Sequence, residues 1–254
     1  AMKVISLGWG VQSFTLAAMV ALGDLDPVDV AIHADTTHEA SGTYAFAARW
    51  TPWLEEHGVR VVTVSGPHTQ PVDGVKGPKT DIPAFTTDGH GSRGQLRRQC
   101  THRWKIMPLR RWLQANRNGQ PIEQWLGISL DEFQRMKDSD VRYIKHRWPL
   151  IDKRMTRWDC QRWLETNGLE VPPKSSCVFC PYHNFAAWRE LKIKNGPDWR
   201  KAVEIDEAIR KVRQPYDLFL HPARVPLATI DLRSDQEKGQ LDLWDAECEG
   251  ICGV

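Results

Sequence analysis

The sequence predicts an α/β fold, in which a doubly wound parallel sheet is followed by a C-terminal helical, cysteine-bearing extension. Two observations support this prediction. Short apolar runs alternate with helical patterns between residues 3 and 64, which is typical of parallel strands joined by crossover helices. Segment 185–213 has a helical pattern, and a tail that contains cysteines follows it. We therefore divide the chain into residues 1–183 and residues 184–254.

The order strand, helix, strand, helix, strand can be followed along the N-terminal part. We predict strands at 3–7, 28–34 and 59–64 and helices at 13–22 and 41–57. Gly23 and Gly58 follow the two helical patterns, in the position where glycine commonly ends a helix. Right-handed crossovers would bring the carboxyl ends of the strands to one rim, where ligands bind in sheets of this kind.

The rest of the chain is less regular. We interpret residues 66–98, which are polar and rich in Gly, Pro and Thr, as a long functional loop. A helix at 101–116 and a strand at 122–127 follow. Ser129 and Thr156 each precede a helical pattern with an acidic residue three positions later, so both are predicted as N-caps. The helical pattern at 185–213 is interrupted at Gly196, and the tail after Tyr216 is predicted to be irregular.

Composition narrows the class of protein. The net charge of +2 does not by itself demand a nucleic-acid partner. No Asp or Glu lies between Asp88 and Glu123, although eight Arg and Lys residues do, which favours a local anion site. No apolar run is long enough for a membrane span and no signal peptide is evident, so we expect a cytoplasmic protein. Six cysteines in such a chain indicate metal or redox chemistry rather than disulfides.

A glycine-rich segment lies between the first predicted strand and helix. Backbone N–H groups at glycines can approach an anion closely, and the helix N-terminus adds unpaired donors. Ser6 and Ser13 would add hydroxyl donors for a phosphate. The candidate binding residues are Ser6, Gly8, Gly10, Gln12 and Ser13. The alternative is a tight strand–helix turn without a ligand.

Four segments, taken in order, resemble one known family. The glycine-rich segment resembles the pyrophosphate-binding loop (PP-loop) of the adenine-nucleotide α-hydrolase superfamily, in particular its phosphoadenosine-phosphosulfate (PAPS) reductase branch. His33-Ala-Asp35-Thr36, followed by Glu39, resembles the strand-end "DT" segment of that family. Segment 98–109 resembles the "CCxxRKVxPL" segment of iron–sulfur adenylyl-sulfate reductases, and Cys177-Val-Phe-Cys180 resembles their later CxxC. The resemblance implies a Rossmann-like PP-loop fold that binds ATP or another adenylyl nucleotide with Mg²⁺.

The chain also departs from the reductases. Thr101 stands where they carry a second adjacent cysteine, and segment 247–253 is only similar to their C-terminal "ECGxH". The arrangement is similar to sulfur-inserting relatives, the tRNA thiolation and DNA phosphorothioation enzymes. Those enzymes activate a target with ATP and hold a [4Fe–4S] cluster on dispersed cysteines.

The cysteines are the candidate metal ligands. Thiolates are soft donors that suit iron–sulfur clusters and zinc. Cys177 and Cys180 can bind one group from a tight turn, and Cys100 would join them from the start of a helix. We expect Cys252 as the fourth ligand and Cys248 as a catalytic thiol, although either tail cysteine could be the ligand. A structural zinc staple and free thiols are the alternatives.

Charged residues complete the candidate site. Asp35 is expected to position the nucleotide or Mg²⁺, with Thr36 beside it, although capping of a loop is an equal alternative. Arg97, Arg98 and Lys105 are expected to bind phosphate or to stabilise charge that develops on it. The alternative for these cations is a solvated helix face.

The leading hypothesis is an enzyme that binds ATP in the PP-loop and uses an iron–sulfur cluster to thiolate an adenylylated target. A second hypothesis is a sulfonucleotide reductase that releases sulfite from adenylyl sulfate or PAPS. A third is a zinc-stapled module that binds a nucleotide or nucleic acid without catalysis. The expected partners are an adenine nucleotide, a nucleic-acid target or a sulfur-donor protein, and a second copy in a homodimer.

Overall fold

The computed structural model describes residues 1–66, 71–72 and 79–233. Two sheets organise this part of the chain. The strands are β1 (Met2–Ser6), β2 (Val30–Asp35), β3 (Val61–Ser65), β4 (Phe85–Thr87), β5 (Arg93–Gln95), β6 (Ile122–Trp125), β7 (Ile144–Arg147) and β8 (Asp217–Phe219). The α-helices are α1 (Val11–Ala21), α2 (Ser41–Glu56), α3 (Met107–Asn116), α4 (Pro149–Asp152), α5 (Arg157–Thr166), α6 (Phe185–Lys194) and α7 (Pro197–Ile209). A π-helical turn (Thr101–Ile106) leads into α3, and a 3₁₀ turn spans Leu130–Arg135.

The larger sheet is parallel and has the strand order β3-β2-β1-β6-β7. The chain leaves β1 toward β2 on one side and returns on its other side as β6, so the direction of winding reverses at β1. Such a reversal opens a crevice beyond the carboxyl ends of the strands. The fold class predicted from the sequence, α/β with a doubly wound parallel sheet, is confirmed.

Each face of this sheet is covered by helices. On one face, β1 packs against α1, whose Phe14 and Leu16 are fully buried, and α2 and α5 extend the same core. On the other face, Leu109 and Leu113 of α3 pack against Val4 and Ile122. β1 buries the consecutive residues Val4 and Ile5 on opposite faces because helices cover both sides of the sheet, so apolar and polar residues do not alternate along it.

A second, antiparallel sheet has the order β5-β4-β8. Its core includes Trp188 of α6 and Ile205 of α7, together with Trp104 and Val178. These side chains come from both sides of residue 183, where the sequence suggested a division; that division stays a prediction. Among the helices of the described ranges, none combines the length and the hydropathy that crossing a bilayer requires.

Two expectations about irregular segments are wrong. Residues 85–95 contain β4 and β5 rather than forming part of one long loop, and the chain after Tyr216 enters β8 directly. Phe85 pairs with Phe219, so the sheet joins segments that lie far apart in the sequence. Strands of three residues carry too little periodicity to be recognised, and their pairing partner is not local.

The predicted helix starts differ in outcome. Thr156 forms a full capping box with Asp159, as expected. Ser129 precedes only a 3₁₀ turn and makes no side-chain cap, so that expectation is wrong. Its hydroxyl instead accepts a hydrogen bond from the Gln12 side chain, a long-range contact that competes with local capping.

Candidate functional site

The glycine-rich loop joins β1 to α1 at the reversal point of the sheet. Ser13 Oγ accepts a hydrogen bond from the Gly8 N–H at 3.1 Å and donates to the Gly10 carbonyl at 3.3 Å. Gly10 is the N-cap residue of α1 and has no side chain to cap it. The Ser13 hydroxyl therefore fixes the shape of the loop, and the N-terminus of α1 keeps uncapped backbone donors.

The loop is held in place from two sides. Trp9 has a φ of 56° and is 2% exposed, and its ring lies 6.2 Å from that of Phe14. A bulky residue at positive φ persists only where its surroundings impose that conformation. On the other side, a Cβ atom on Gly127 would lie 2.7 Å from the Ser13 backbone nitrogen. The chain after β6 therefore passes directly against the start of α1.

Gln12 anchors the same helix start. Its amide nitrogen donates to Ser129 Oγ and Glu132 Oε2, each at 3.3 Å, and its carbonyl oxygen accepts from Arg157 at 2.9 Å. These contacts use both ends of a buried amide. Gln12 therefore supports the loop by holding α1 to the segment that follows β6 and to the first residue of α5.

A cavity of about 310 Å³ lies beyond the carboxyl ends of β1, β2, β6 and β7, and we call it the rim pocket. Its wall is mostly apolar, with a few polar groups from the glycine loop and from α3, as small-molecule sites usually are. Gln124 donates to Ser6 Oγ at 2.7 Å, which leaves the Ser6 hydroxyl hydrogen free for another acceptor. The lining residues include Ser6, Gly8, His33, Lys105, Arg110, Gln124 and His146.

A second cavity of about 290 Å³ contains the cysteines and is named the thiol pocket. It brings together Cys100, Cys177 and Cys180, which come from the start of the π-helical turn and from the CxxC turn. The Cys180 N–H donates to the Cys177 carbonyl at 3.1 Å, which closes that turn. Cations line the pocket at Arg98, Lys105 and Lys174, and no Asp or Glu is among its described lining residues.

Burial controls the protonation of these thiols. It raises the pKa of Cys177 to about 12, with the negative charge of Glu39 adding to the shift, and it also raises the pKa of Cys180. Both groups are therefore neutral thiols at neutral pH unless a cation or metal stabilises the thiolate. Within residues 1–66, 71–72 and 79–233, no group of three His, Cys, Asp or Glu side chains is arranged to hold one metal ion. Cys248 and Cys252 lie outside the described residues.

Lys105 lies between the two pockets and lines both. Its ammonium donates to Glu39 Oε1 at 2.8 Å. Thr36 Oγ1 lies 3.4 Å from the same carboxylate oxygen and 3.4 Å from Cys177 Sγ. Burial works to lower the pKa of Lys105, but attraction to Glu39 and Cys177 outweighs it and raises the pKa. Lys105 therefore stays protonated and positively charged at neutral pH.

Asp35 caps a loop in this structure. Its Oδ1 accepts hydrogen bonds from the Thr37 N–H and the Tyr44 hydroxyl, both at 2.7 Å. Burial and the bond to Asp35 raise the pKa of Tyr44. Asp35 is not among the described residues that line either pocket, so its contacts match the loop-capping alternative.

The two predicted arginines differ in position. Arg98 lines the thiol pocket, and its guanidinium lies 5.4 Å from the centre of the Tyr182 ring. Arg97 is exposed and does not line either pocket. Only Arg98 is therefore close enough to act on a group inside the thiol pocket.

Sequence reasoning missed three residues that shape the site. Gly127 is the last residue of a predicted strand, and a glycine there signals close approach of another backbone. Ser175 lines the thiol pocket and donates to the Gly8 carbonyl at 2.6 Å, so it ties the cysteine segment to the glycine loop. No local pattern signals that contact. Lys174 also lines the thiol pocket. The only sequence feature that could have indicated this is its position three residues before Cys177.

Comparison with known proteins gives similarity to solved structures. No protein-family model and no curated protein sequence matches the chain. Among solved structures, the crystal structure of phosphoadenylyl-sulfate (PAPS) reductase from Candida auris, in a phosphate complex, is similar to it at 13% sequence identity and a TM-score of 0.43. The similarity covers 68% of this chain and 75% of that one. We assign the α/β fold class from the strand order of the parallel sheet and not from this similarity.

Proposed function

We propose that this chain binds ATP or another adenylyl nucleotide in the rim pocket and transfers sulfur to an adenylylated target. The observation that carries the proposal is the shared wall between the two pockets. Lys105 lines both, and Ser175 joins the wall of the thiol pocket to the glycine loop. A group bound in one pocket would therefore lie next to the reactive side chains of the other pocket.

The rim pocket supports the nucleotide part of the proposal. The free hydroxyl hydrogen of Ser6, on the pocket wall, and the uncapped N-terminus of α1, which follows the lining residue Gly8 along the loop, offer donors to phosphate oxygens. The apolar wall formed by Ile32, Leu109 and Leu126 suits a flat base. Lys105 supplies a positive charge at the end of the pocket where a phosphate would lie next to the thiols.

The proposed reaction has two steps. An oxygen of the target attacks the α-phosphorus of ATP, the bond to pyrophosphate breaks, and the target becomes adenylylated. A sulfur nucleophile then displaces the activated oxygen, which leaves with AMP. Ser6 and the uncapped N–H groups at the start of α1 hold the departing pyrophosphate, while Lys105 and Arg98 stabilise the negative charge that develops on phosphate.

We also propose that the thiol pocket holds a group ligated by thiolates, whose fourth ligand would come from outside the described residues. Three cysteines face a cavity much larger than a single ion, and Arg98, Lys105 and Lys174 would offset the negative charge of deprotonated thiols. Cys100, Cys177 and Cys180 would hold a [4Fe–4S] cluster, with Cys252 or Cys248 as the fourth ligand. Such a cluster would supply iron for handling sulfur. Zinc is the alternative occupant and would need four thiolates.

Mg²⁺ has no comparable support from the described residues. The Oδ1 atom of Asp35 is already engaged by Thr37 and Tyr44, and Asp35 does not line the rim pocket. The metal would therefore have to enter with the phosphates of the nucleotide. We derive no step through it.

The test compares nucleotides on the full chain purified without oxygen. We expect ATP and AMP to bind, guanosine triphosphate to bind at least tenfold more weakly, and adenylyl sulfate to yield no sulfite. Calorimetry measures the affinities, and a colorimetric assay measures sulfite. Catalytic sulfite release from adenylyl sulfate, with a dithiol present as the reductant, would replace sulfur insertion by sulfonucleotide reduction. In that reaction Cys248 or Cys252 attacks the sulfate sulfur and AMP leaves, and a second thiol then displaces sulfite as a disulfide forms. No binding of any adenine nucleotide would contradict both readings.

A further inference from the structure

The ammonium of Lys105 depends on one neighbour for its position. Its side chain is 40% exposed, and within the described part of the chain its hydrogen bond goes to Glu39 Oε1 at 2.8 Å. A lysine side chain has four rotatable bonds, so an ammonium without a fixed partner samples many positions. Glu39 therefore decides where this charge lies.

Glu39 is itself held firmly. Its side chain is 1% exposed. Its N–H donates to the Tyr44 hydroxyl at 3.3 Å, and its backbone forms an antiparallel bridge with Cys177. The carboxylate thus belongs to the segment that follows β2 and is attached to the segment that carries the CxxC turn.

Stability alone does not explain this ion pair. Glu39 Oε1 receives Lys105 and Thr36, whereas Oε2 is buried and has no hydrogen-bond partner among the described residues. A buried carboxylate with one unsatisfied oxygen carries a desolvation cost that a single ion pair rarely offsets. Groups in this condition are typical of sites where position matters more than stability.

We propose that Glu39 is a positioning residue, which holds the Lys105 ammonium on the wall shared by the rim pocket and the thiol pocket. In that place the ammonium faces the phosphate of a bound adenylyl nucleotide. Glu39 contacts neither the nucleotide nor the target and acts through Lys105. The inference rests on the proposed function, since it assigns the ammonium to a nucleotide phosphate.

Whether Glu39→Gln strengthens or weakens the binding of AMP distinguishes two roles for Glu39. It either positions Lys105 or only balances the positive charge of Lys105. Removing the negative charge of Glu39 should strengthen the binding of an anion if the residue only balances charge. Removing the group that orients Lys105 should weaken the binding of the phosphate. We therefore expect Glu39→Gln to weaken the affinity for AMP by about tenfold, the scale of one charge-assisted hydrogen bond.

The experiment measures AMP and adenosine binding to the full chain by calorimetry. The variants are Glu39→Gln, Lys105→Met and the double variant, because a double-mutant cycle isolates the effect that passes through Lys105. We expect Glu39→Gln to weaken AMP and to leave adenosine unchanged. In the Lys105→Met background the same substitution should have no further effect. Glu190→Gln, which breaks an exposed pair with Lys194, is the matched control and should leave both affinities unchanged.

Each other outcome overturns the inference. Tighter AMP binding by Glu39→Gln would show that Glu39 only balances the charge of Lys105. An equal loss for adenosine, or an undiminished loss in the Lys105→Met background, would show that Glu39 acts through the loop and not through Lys105. These results leave the proposed function standing. If the unaltered chain bound neither AMP nor adenosine, the proposed function would fall and the inference with it.

Discussion

His33 lies in β2 and is one of the residues that line the rim pocket. Its Nδ1 is 3.0 Å from the Leu7 carbonyl, and only 6% of the residue is exposed. Burial lowers the pKa of His33 below 6.5, although the Leu7 carbonyl and nearby carboxylates act in the opposite direction. The ring is therefore a neutral group at neutral pH, packed beside the glycine loop.

This pKa shift predicts a pH dependence of stability. Below pH 6.5 the unfolded chain protonates this histidine more readily than the folded chain does. The free energy of unfolding should therefore hold its full value above that pH and decrease as the pH falls toward the folded-state pKa. Urea unfolding at about pH 7.5 and about pH 5.5 measures the difference, which His33→Gln should reduce. The same reduction in His90→Gln, an exposed control, would contradict the assignment.

At the scale of elements, the contact between the end of β6 and the start of α1 shapes the glycine loop. Gly127 lies where any Cβ atom would overlap the Ser13 and Gln12 backbone. The contact fixes α1 against the sheet, and Gln12 adds hydrogen bonds to Ser129 and Glu132. The orientation of the uncapped helix N-terminus therefore depends on a glycine from another element.

Gly127→Ala tests this contact. The added methyl group must push the backbone at Ser13 aside, so we expect a loss of about 1–3 kcal/mol in the free energy of unfolding. Binding of ATP should also weaken because the loop changes shape. Gly42→Ala is the control, since its Cβ would make only an ordinary contact at 3.8 Å with Pro173. Unchanged stability and unchanged affinity in Gly127→Ala would show that the loop does not need the close approach.

Four of the five parallel strands, β1, β2, β3 and β6, and the helices between them could be predicted, because apolar runs and helix periodicity are local properties. The edge strand β7 was not predicted. The thiol pocket could be anticipated only in part. The residue types and spacing of Cys177 and Cys180 suggested a shared site, but the contact of Ser175 with Gly8 depends on tertiary packing. Ser13 closes its own loop and Asp35 caps another. The sequence left ligand binding and loop capping as alternatives for Asp35, because a carboxylate can do either.

At the scale of the whole molecule, the two sheets meet around the two pockets. The rim pocket belongs to the parallel sheet, whereas the thiol pocket is closed by Ile82 and Phe179 from the core of the second sheet. The CxxC segment contacts both the glycine loop and the segment after β2. This arrangement makes the second sheet a support for the cysteines, as the proposed sulfur chemistry beside a nucleotide requires.

The most direct measurement is the iron, sulfide and zinc content of the full chain purified without oxygen. We predict about four irons with matching sulfide for the unaltered chain. Cys177→Ser should lose them, because its side chain lines the thiol pocket. Cys160→Ala should keep them, since Cys160 is buried in the core of the parallel sheet. About one zinc in place of iron, or full iron content in Cys177→Ser, would contradict the account.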